Sequence, residues 1–533
     1  MFSRLKSFLL RHELLIIIVL LCALVRVTSL YEPYWYGDEG IYLTLGQGVR
    51  HGLQLYRDIH DNKPPLIYLI AAVADTQLWF RVILIAWNSA SIVVFSLIAS
   101  FLFDTKRKID HTIKLLGITF PLPHYSTVAT LIFAILPFFA EGLIPNGEIF
   151  MILPTMIGAL MLLRSWSAKR LDMPHAFIAG IFFSIGFLIK VPVLFDAFAA
   201  GWFFFVLAKL FGKMSKKESS FLARVKAIVL APPAYAFVAG LAIPIVLSIV
   251  YYASIGILQP YLRSALLQNV GYLSSWQTGT HDASNVTQSG LKNRAIALGV
   301  FIIATLFFGG LIPAEFLFLL VWFACALFGT LLSERPYPHY LIQMIPLLAL
   351  FPPGFVFLLR QAKRKVAPAI HGIIGMLLVM VVFALSYAVI RFWHYPIRPY
   401  YENFFSYITG KRSEAEYQKF FDPTLPEQYS LARIIVSASN PDDRIFIWGD
   451  LPTLYALTHR LPPGRYTSAY HILDFHGEDE TMAAILKREP KLILIDTRLR
   501  KFPNIDPLLR EEYMLLTKTD HFMLYRHRTL ITK

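Results

Sequence analysis

The sequence predicts a polytopic α-helical membrane protein of about 11 spans that carries a small α/β domain at its C-terminal end. Of the 533 residues, 56% are hydrophobic and 15% are aromatic, and the mean hydropathy is +0.54. These values are far higher than those of an ordinary soluble domain. Long apolar runs separated by short basic loops occupy residues 1–390, and the composition becomes more polar in residues 391–533.

The individual spans follow from the length of each apolar run. A helix needs about 20 mainly apolar residues to cross the hydrocarbon core of a bilayer. On that basis we predict spans at residues 13–30, 79–103, 125–143, 149–164, 175–190, 193–211, 229–252, 294–311, 313–332, 340–360 and 367–390. The basic segment 1–11 resembles the start of a signal peptide, but no small-residue cleavage site follows it, so we expect an uncleaved first span.

The positive charge is explained by membrane topology. The net charge of +15 includes basic loops at 106–108, 164–170, 209–226 and 360–365, and all of them fall on one side of the predicted membrane. Short loops rich in Lys and Arg stay in the cytoplasm. We therefore expect a plasma (inner) membrane protein with a cytoplasmic N-terminus and an extracytoplasmic C-terminal domain. This pattern excludes nucleic acid as the natural partner.

The C-terminal residues 391–533 predict a separate extracytoplasmic domain. Strand candidates at 444–448 and 491–495 enclose a helical stretch at 479–487, and strand–helix–strand order is typical of a small α/β domain. The glycines and prolines of this region mark loops and form no phosphate-binding pattern. The two cysteines, Cys22 and Cys325, lie in apolar runs and form no disulfide framework or CxxC motif.

The predicted first outer loop, residues 31–78, contains the densest group of polar residues beside a span. Asp38 and Glu39 are adjacent there. Ionisable groups at a membrane boundary cost free energy unless they are hydrated or paired, so such a group indicates a functional site. Alternatively, Asp38 is the N-cap of a short interfacial helix with Ile41 and Leu45 on its apolar side. Both interpretations stay open, and one residue can serve both purposes.

Motifs in this loop resemble those of a known family. The loop contains DEG at 38–40 with Tyr42 two residues beyond, LYRD at 55–58 and DNKPP at 61–65. In this order they resemble the GT-C membrane glycosyltransferases, in the branch of protein O-mannosyltransferases and lipid A aminoarabinose transferases. Weaker matches are Asn146-Gly147-Glu148, FLIKVP around Lys190, His339-Tyr340, Trp448-Gly449 and Arg465-Tyr466.

The resemblance implies a GT-C-like fold and an inverting sugar transfer. The donor would be a sugar on a polyprenyl phosphate, hexosyl or pentosyl, and the acceptor would be an extracytoplasmic protein, lipid A or another cell-envelope glycan. By the same resemblance, Asp38 is the general base or acceptor-orienting group. Glu39 and Glu148 would hold the acceptor, a metal or neighbouring cations. Carboxylates that share a site repel, and partial burial raises the pKa of at least one, which suits a base.

Several cations are expected on the outer side, where topology does not require them. We predict that Lys63 and Lys190 bind the lipid phosphate, although Lys190 could instead extend its ammonium to the interface and Lys63 could pair with Asp58 or Asp61. The other predicted substrate-binding residues are Arg26, Arg81, Tyr42, His339 and Tyr340. His339 would hydrogen-bond the leaving oxygen. Glu141 is expected to be an ordinary hydrated loop carboxylate.

Metal dependence stays open, because no HxxxH or HExxH spacing occurs and acidic pairs alone would suit Mg²⁺ or Mn²⁺. The alternative function is a transporter or flippase of lipid-linked saccharides. A structural membrane component would leave the first-loop carboxylates without a purpose. Transporter sites usually lie at the bilayer midplane, whereas these charges cluster in loops. The depth of Asp38 and Lys190 therefore distinguishes the enzyme from the transporter.

Overall fold

The structure is a computed structural model that describes residues 13–103, 112–115, 118–121, 124–167, 171–211, 231–268, 290–362 and 366–528. The basic segment 1–11 and the loop at 106–108 lie outside these residues. So do parts of the loops at 164–170, 209–226 and 360–365.

The predicted membrane helices are present in the described residues. Seven helices are long and apolar enough to span a bilayer: Glu13–Tyr31, Gln77–Phe103, Gly147–Trp166, Pro232–Ser254, Gly290–Leu311, Pro338–Ala362 and Val366–Ile390. Four shorter apolar helices accompany them: Tyr125–Ala140, Met173–Ile189, Val193–Leu207 and Ala314–Thr330. Each of the 11 segments coincides with one predicted span. The predicted fold class, a mostly helical multi-pass membrane protein, is confirmed.

The helices differ in how deeply they lie in the bundle. Gly147–Trp166 and Pro338–Ala362 are largely buried, whereas Val366–Ile390 and Gly290–Leu311 expose most of their residues. Most of the exposed side chains of the latter pair are apolar, for example Val389 and Phe307. A helix with an apolar exposed surface is suited to contact with lipid, so these helices form the periphery of the bundle.

Two additional helices, Gly37–Arg50 and Leu66–Ala74, form within the first loop. Tyr36 is the N-cap of the former and makes no side-chain capping bond, so Asp38 is not the N-cap but a residue of the first turn. The helix is also not interfacial with a single apolar side, because Glu39 to Gly48 are all buried. Its burial requires close helix packing, and a Cβ at Gly46 would lie 2.5 Å from the backbone nitrogen of Ala72.

The C-terminal residues form an α/β domain. Its helices are Ile397–Ile408, Glu414–Lys419, Leu425–Ala438, Pro452–Thr458, Ala469–Asp474, Glu478–Arg488 and Ile505–Glu512. Its strands are β3 Ile445–Trp448, β4 Leu492–Asp496, β5 Tyr513–Lys518 and β6 Phe522–His527, and a separate hairpin of β1 Thr112–Leu115 and β2 Ile118–Pro121 precedes the third span. The predicted strands β3 and β4 and the helix between them are confirmed, whereas β5, β6 and the hairpin were not predicted.

The four strands form one mixed sheet in the order β3-β4-β6-β5. Strands β3 and β4 are parallel, and β6 is antiparallel to both of its neighbours. Alternate residues of a strand point to opposite faces of the sheet. Accordingly, Ile445 and Ile447 join one hydrophobic core while Phe446 and Trp448 join the other. Helices cover both faces, which explains why every residue of β3 is buried.

The C-terminal domain packs directly on the helix Gly37–Arg50. The Thr44 hydroxyl donates to the Pro452 carbonyl at 3.1 Å, and the Gln47 amide donates to the Ala456 carbonyl at 3.1 Å. Gly40 permits this contact, because a Cβ there would lie 2.5 Å from the Thr453 backbone nitrogen. The first loop is therefore held between the membrane helices and the C-terminal domain.

Gly40 and Gly46 lie close to neighbouring backbone, whereas Gly37 of the same helix does not. Substitution of these glycines should therefore affect stability to different extents. Gly40→Ala and Gly46→Ala each place a methyl group against backbone that has no room to move, so each variant should lose about 1–3 kcal/mol of stability. Gly37→Ala is the matched control, since nothing lies within 4 Å of its Cβ position. Thermal unfolding of the purified protein in detergent measures the difference. Equal midpoints for all three variants would contradict this packing.

Candidate active site

A cavity of about 1120 Å³ lies where the first loop, the ends of the membrane helices and the C-terminal domain meet. All four shorter apolar helices begin or end beside it, because Glu141, Lys190, Pro192 and Thr330 belong to its lining. The sequence contributes to two of these ends, since Lys190-Val191-Pro192 separates two short helices and a proline restricts the residue before it.

Asp38 lines the cavity from the first turn of its helix, where the helix dipole stabilises a negative charge. One of its oxygens accepts a hydrogen bond from the Tyr42 hydroxyl at 2.9 Å and lies 3.7 Å from the Lys63 ammonium. Burial raises the pKa of Asp38, but the charges of Lys63, His339 and Lys190 outweigh it and hold the pKa below its usual value. The expected rise in pKa therefore does not occur at Asp38, which is ionised at neutral pH.

Asp61, the first residue of the DNKPP motif, fixes Lys63. Its carboxylate lies 3.4 Å from the Lys63 ammonium and accepts from the Tyr68 hydroxyl at 2.9 Å. Burial raises the pKa of Asp61, but the positive charges of Lys63 and His471 outweigh this effect. The pKa of Asp61 therefore lies below its usual range. Asp58, the other proposed partner of Lys63, pairs with Arg57 instead. Lys63 thus bridges two carboxylates.

Lys190 and Glu148 form an ion pair in the cavity wall. The Lys190 ammonium also lies 4.8 Å from the centre of the Tyr340 ring. Glu148 was expected to hold the acceptor, a metal or a neighbouring cation, and this ion pair is a contact of the third kind. The second oxygen of Glu148 is buried and has no hydrogen-bond partner among the described residues.

His339 reaches the cavity together with Glu141 and Tyr36. Its Nδ1 lies 2.7 Å from a Glu141 carboxylate oxygen and 3.0 Å from the Tyr36 hydroxyl, which also donates to Glu141 at 3.2 Å. Glu141 was expected to be a hydrated loop carboxylate, but it belongs to the cavity wall. Sequence reasoning missed it because its partner His339, at the start of the helix Pro338–Ala362, is distant in the sequence.

Glu39 and Arg81 do not line the cavity but pair with each other behind it. The Arg81 guanidinium donates to both Glu39 oxygens at 2.9 and 2.7 Å and lies 3.0 Å from Glu32. Gln77 donates to Glu39 at 3.1 Å. All three charged side chains are almost fully buried. These contacts support a structural role for both residues, and the predicted catalytic and substrate-binding roles stay predictions.

Arg26 and Tyr42 also lie outside the cavity lining and support residues that form it. Arg26 donates to the Gly142 carbonyl, and its guanidinium lies 4.9 Å from the centre of the Phe138 ring. It therefore holds the loop that carries Glu141. Tyr42 orients Asp38 through its hydroxyl group. The remaining predicted residues, Asp38, Lys63, Glu148, Lys190, His339 and Tyr340, are brought together in one lining.

The C-terminal domain contributes residues that sequence reasoning did not select. Asp450, Tyr470, His471 and Asp474 line the cavity. His471 Nε2 lies 3.5 Å from Asp61, and burial lowers the pKa of His471 below its usual value although Asp61 opposes the shift. No motif connects these positions with the first loop, so the sequence offered no signal for them. Across the described residues, no group of three or more His, Cys, Asp or Glu side chains is placed to hold a metal ion.

Comparison with solved structures identifies the fold. The chain is similar to ArnT from Cupriavidus metallidurans bound to undecaprenyl phosphate, with a TM-score of 0.52 and 11% identity over 96% of this chain and 98% of that chain. The protein therefore has the GT-C-like fold that the resemblance implied. No model of a known protein family matches this chain, and no curated protein matches its sequence.

Two oligosaccharyltransferase structures from Archaeoglobus fulgidus are more distant. The apo form has a TM-score of 0.39 and 13% identity over 90% of this chain and 69% of that chain. AglB in complex with an inhibitory peptide and a dolichol-phosphate has a TM-score of 0.42 and 13% identity over 97% and 75%.

The buried cluster predicts that Glu39→Gln is primarily a stability defect. The amide cannot accept both guanidinium bonds, and weakening one partner of a buried ion pair costs up to about 3–5 kcal/mol. Thermal unfolding of the purified protein in detergent should show a large loss of stability. A variant that unfolds like the wild-type protein would contradict the structural role of Glu39.

Proposed function

We propose that the protein is an inverting glycosyltransferase that moves a sugar from a polyprenyl phosphate to an extracytoplasmic protein, lipid A or another cell-envelope glycan. The observation that carries this proposal is the placement of ionised Asp38 in one cavity with Lys63 and Lys190. The undecaprenyl phosphate bound to the similar ArnT structure supports a lipid-phosphate donor. A large, partly apolar cavity at the end of the membrane helices suits such a donor.

The proposed reaction is a single displacement. The acceptor hydroxyl attacks the anomeric carbon, the bond from that carbon to the phosphate oxygen breaks, and its electron pair leaves with the lipid phosphate. Asp38 accepts the hydroxyl proton. Because its pKa is low, Asp38 is a weak base, but it is ionised at neutral pH and can accept a proton. It accepts the proton late in the displacement, when the bond to the anomeric carbon has made the attacking hydroxyl acidic. Tyr42 keeps the carboxylate oriented toward the acceptor.

The departing phosphate is the largest charge that the site must stabilise. Lys63 and Lys190 supply fixed positive charge, and His339 is a further hydrogen-bond donor in the same lining. Fixed donors and cations stabilise developing charge without reorganisation, which lowers the barrier. Asp61 and Glu148 hold the two ammonium groups in place between turnovers.

The location of the charges supports an enzyme over a transporter or flippase. Asp38 lies in a loop helix, and Lys190 follows the last residue of the helix Met173–Ile189. A transporter site is expected near the bilayer midplane, within interrupted helices. Residues of the C-terminal domain, among them Asp450 and His471, form part of the cavity wall, which suits an acceptor outside the membrane.

Asp38→Asn is expected to reduce transfer about 100-fold or more, because the amide retains the shape of the side chain but cannot take up a proton at neutral pH. The measurement is turnover with a polyprenyl-phosphate sugar. Asp58→Asn is the matched control, since Asp58 lies in the same loop and pairs with Arg57 outside the cavity. Near-normal turnover of Asp38→Asn would contradict the proposed role of Asp38 as the general base.

The role of Lys190 requires a paired design. Lys190→Met alone leaves Glu148 buried and unpaired, so the double variant Lys190→Met with Glu148→Gln is compared with Glu148→Gln. Loss of a phosphate-binding cation should lower turnover by roughly a further 100-fold. Lys411→Met is the control for an exposed lysine. If the double variant matches Glu148→Gln in turnover and donor affinity, Lys190 does not serve the phosphate.

We also expect the C-terminal domain outside the cytoplasm, in accordance with the positive-inside rule. Ser437 in the C-terminal domain and Met173 are both exposed, and Met173 begins the helix whose other end leads to Lys190. Cysteine at 437 should react with an impermeant reagent in intact spheroplasts, and cysteine at 173 only after lysis. Native Cys22 and Cys325 are buried and give little background. The reverse labelling pattern would invert the topology.

A further inference from the structure

Asp196 is a buried carboxyl group in the membrane part of the protein that the proposed reaction does not use. It is 2% exposed, and in the described part of the chain no cation forms an ion pair with it. One oxygen accepts a hydrogen bond from the Trp322 indole at 2.6 Å and the other accepts from the Gln343 amide at 2.7 Å. Ionisable residues inside a membrane are costly and usually mark a functional site.

Gln343 is the residue through which Asp196 reaches the cavity. Its amide nitrogen donates to Asp196 and, at 3.2 Å, to the Pro192 carbonyl. A glutamine amide has two N–H donors and one acceptor oxygen. Both donors are therefore used, and the carbonyl oxygen is the group left for a ligand. Gln343 lines the cavity, and its amide nitrogen contacts Pro192, two residues after Lys190.

Two further polar groups of the lining have no partner among the described residues. The Thr330 hydroxyl and the second Glu148 oxygen are buried and make no hydrogen bond there. Thr330 is only 5% exposed, and both residues belong to the cavity wall. Buried polar groups without partners cost free energy, so a ligand that hydrogen-bonds both groups would be stabilised at this position.

We propose that Gln343, oriented by Asp196, forms with Thr330 and Glu148 a subsite for the hydroxyl groups of the donor sugar ring. The proposal rests on the proposed transferase function and extends it to sugar recognition. A sugar hydroxyl donates one hydrogen bond and accepts others. The Gln343 and Glu148 oxygens accept from such a group, and the Thr330 hydroxyl can donate to it or accept from it. Gln343 contacts the substrate, and Asp196 is a positioning residue.

The orienting role of Asp196 makes a specific prediction for Asp196→Asn. The new amide nitrogen would face either the Trp322 donor or the Gln343 donor. In the second case a half-turn of the Gln343 amide turns its oxygen toward the new nitrogen, at the cost of the hydrogen bond to the Pro192 carbonyl. The subsite would then present an N–H group where it now presents an oxygen. The protein remains similarly packed, because asparagine matches aspartate in shape.

The test compares two lipids on the full-length protein in detergent. One probe is bare undecaprenyl phosphate. The other is undecaprenyl phosphate that carries a neutral sugar; a panel of hexoses and pentoses is screened, and the sugar that the wild-type protein binds most tightly is used. Affinities are measured by native mass spectrometry. Asp196→Asn and Gln343→Met should each lower the affinity for the sugar-bearing lipid about tenfold relative to the bare lipid, as expected for one or two lost hydrogen bonds. The affinity for bare lipid should be unchanged.

Trp322→Phe is the matched control, since it removes the other donor to Asp196 and lies outside the cavity lining. It should affect thermal stability without changing the ratio of the two affinities. The subsite is wrong if Asp196→Asn and Gln343→Met weaken the binding of both lipids equally, or if the ratio of the two affinities is unchanged in these variants. Neither result contradicts the proposed function. A wild-type protein that binds neither lipid contradicts the proposed function and the subsite together.

Discussion

The buried guanidinium of Arg81 is the interaction on which the arrangement of the site depends. It binds Glu39 and Glu32 together, and Glu39 is the neighbour of Asp38, so the position of this pair determines where Asp38 lies. The Tyr400 hydroxyl donates to Glu32 at 2.7 Å, which links the helix after the last span to the same cluster. Desolvating an arginine and two carboxylates is costly unless all are paired, and their mutual pairing makes this corner of the fold a single cooperative unit.

The helix anchored by Glu39 is also the surface on which the C-terminal domain packs, through Gly40 and Thr44. One element thus contacts the membrane helices on one side and the soluble domain on the other. The cavity forms between these bodies, which explains why residues from the two parts, such as Asp61 and His471, meet there. Residues of both parts line this cavity, so the C-terminal domain contributes to the candidate site.

Charge balance explains why the cavity can contain several ionised groups. Lys63 lies between Asp38 and Asp61, and Lys190 is paired with Glu148. Lys63 and Lys190 help to keep the pKa of Asp38 low despite its burial, so Asp38 is not a carboxylate whose pKa is raised. A phosphate arriving in the cavity competes with carboxylates for the same ammonium groups. Its departure with the lipid restores the original pairs, so the cations are neutralised at each stage of the proposed cycle.

The sequence by itself determined the 11 apolar helices, the first-loop motif and the strand–helix–strand unit, because hydrophobic run length and residue periodicity are local properties. It also selected six residues that line the cavity, since charges beside spans stand out from apolar surroundings. Only the tertiary structure decided that Glu39 pairs with Arg81, that Glu141 and His471 reach the cavity, and that Asp196 orients Gln343. Each of these facts depends on contact between segments distant in the chain, and such contacts arise from packing, which local sequence patterns do not encode.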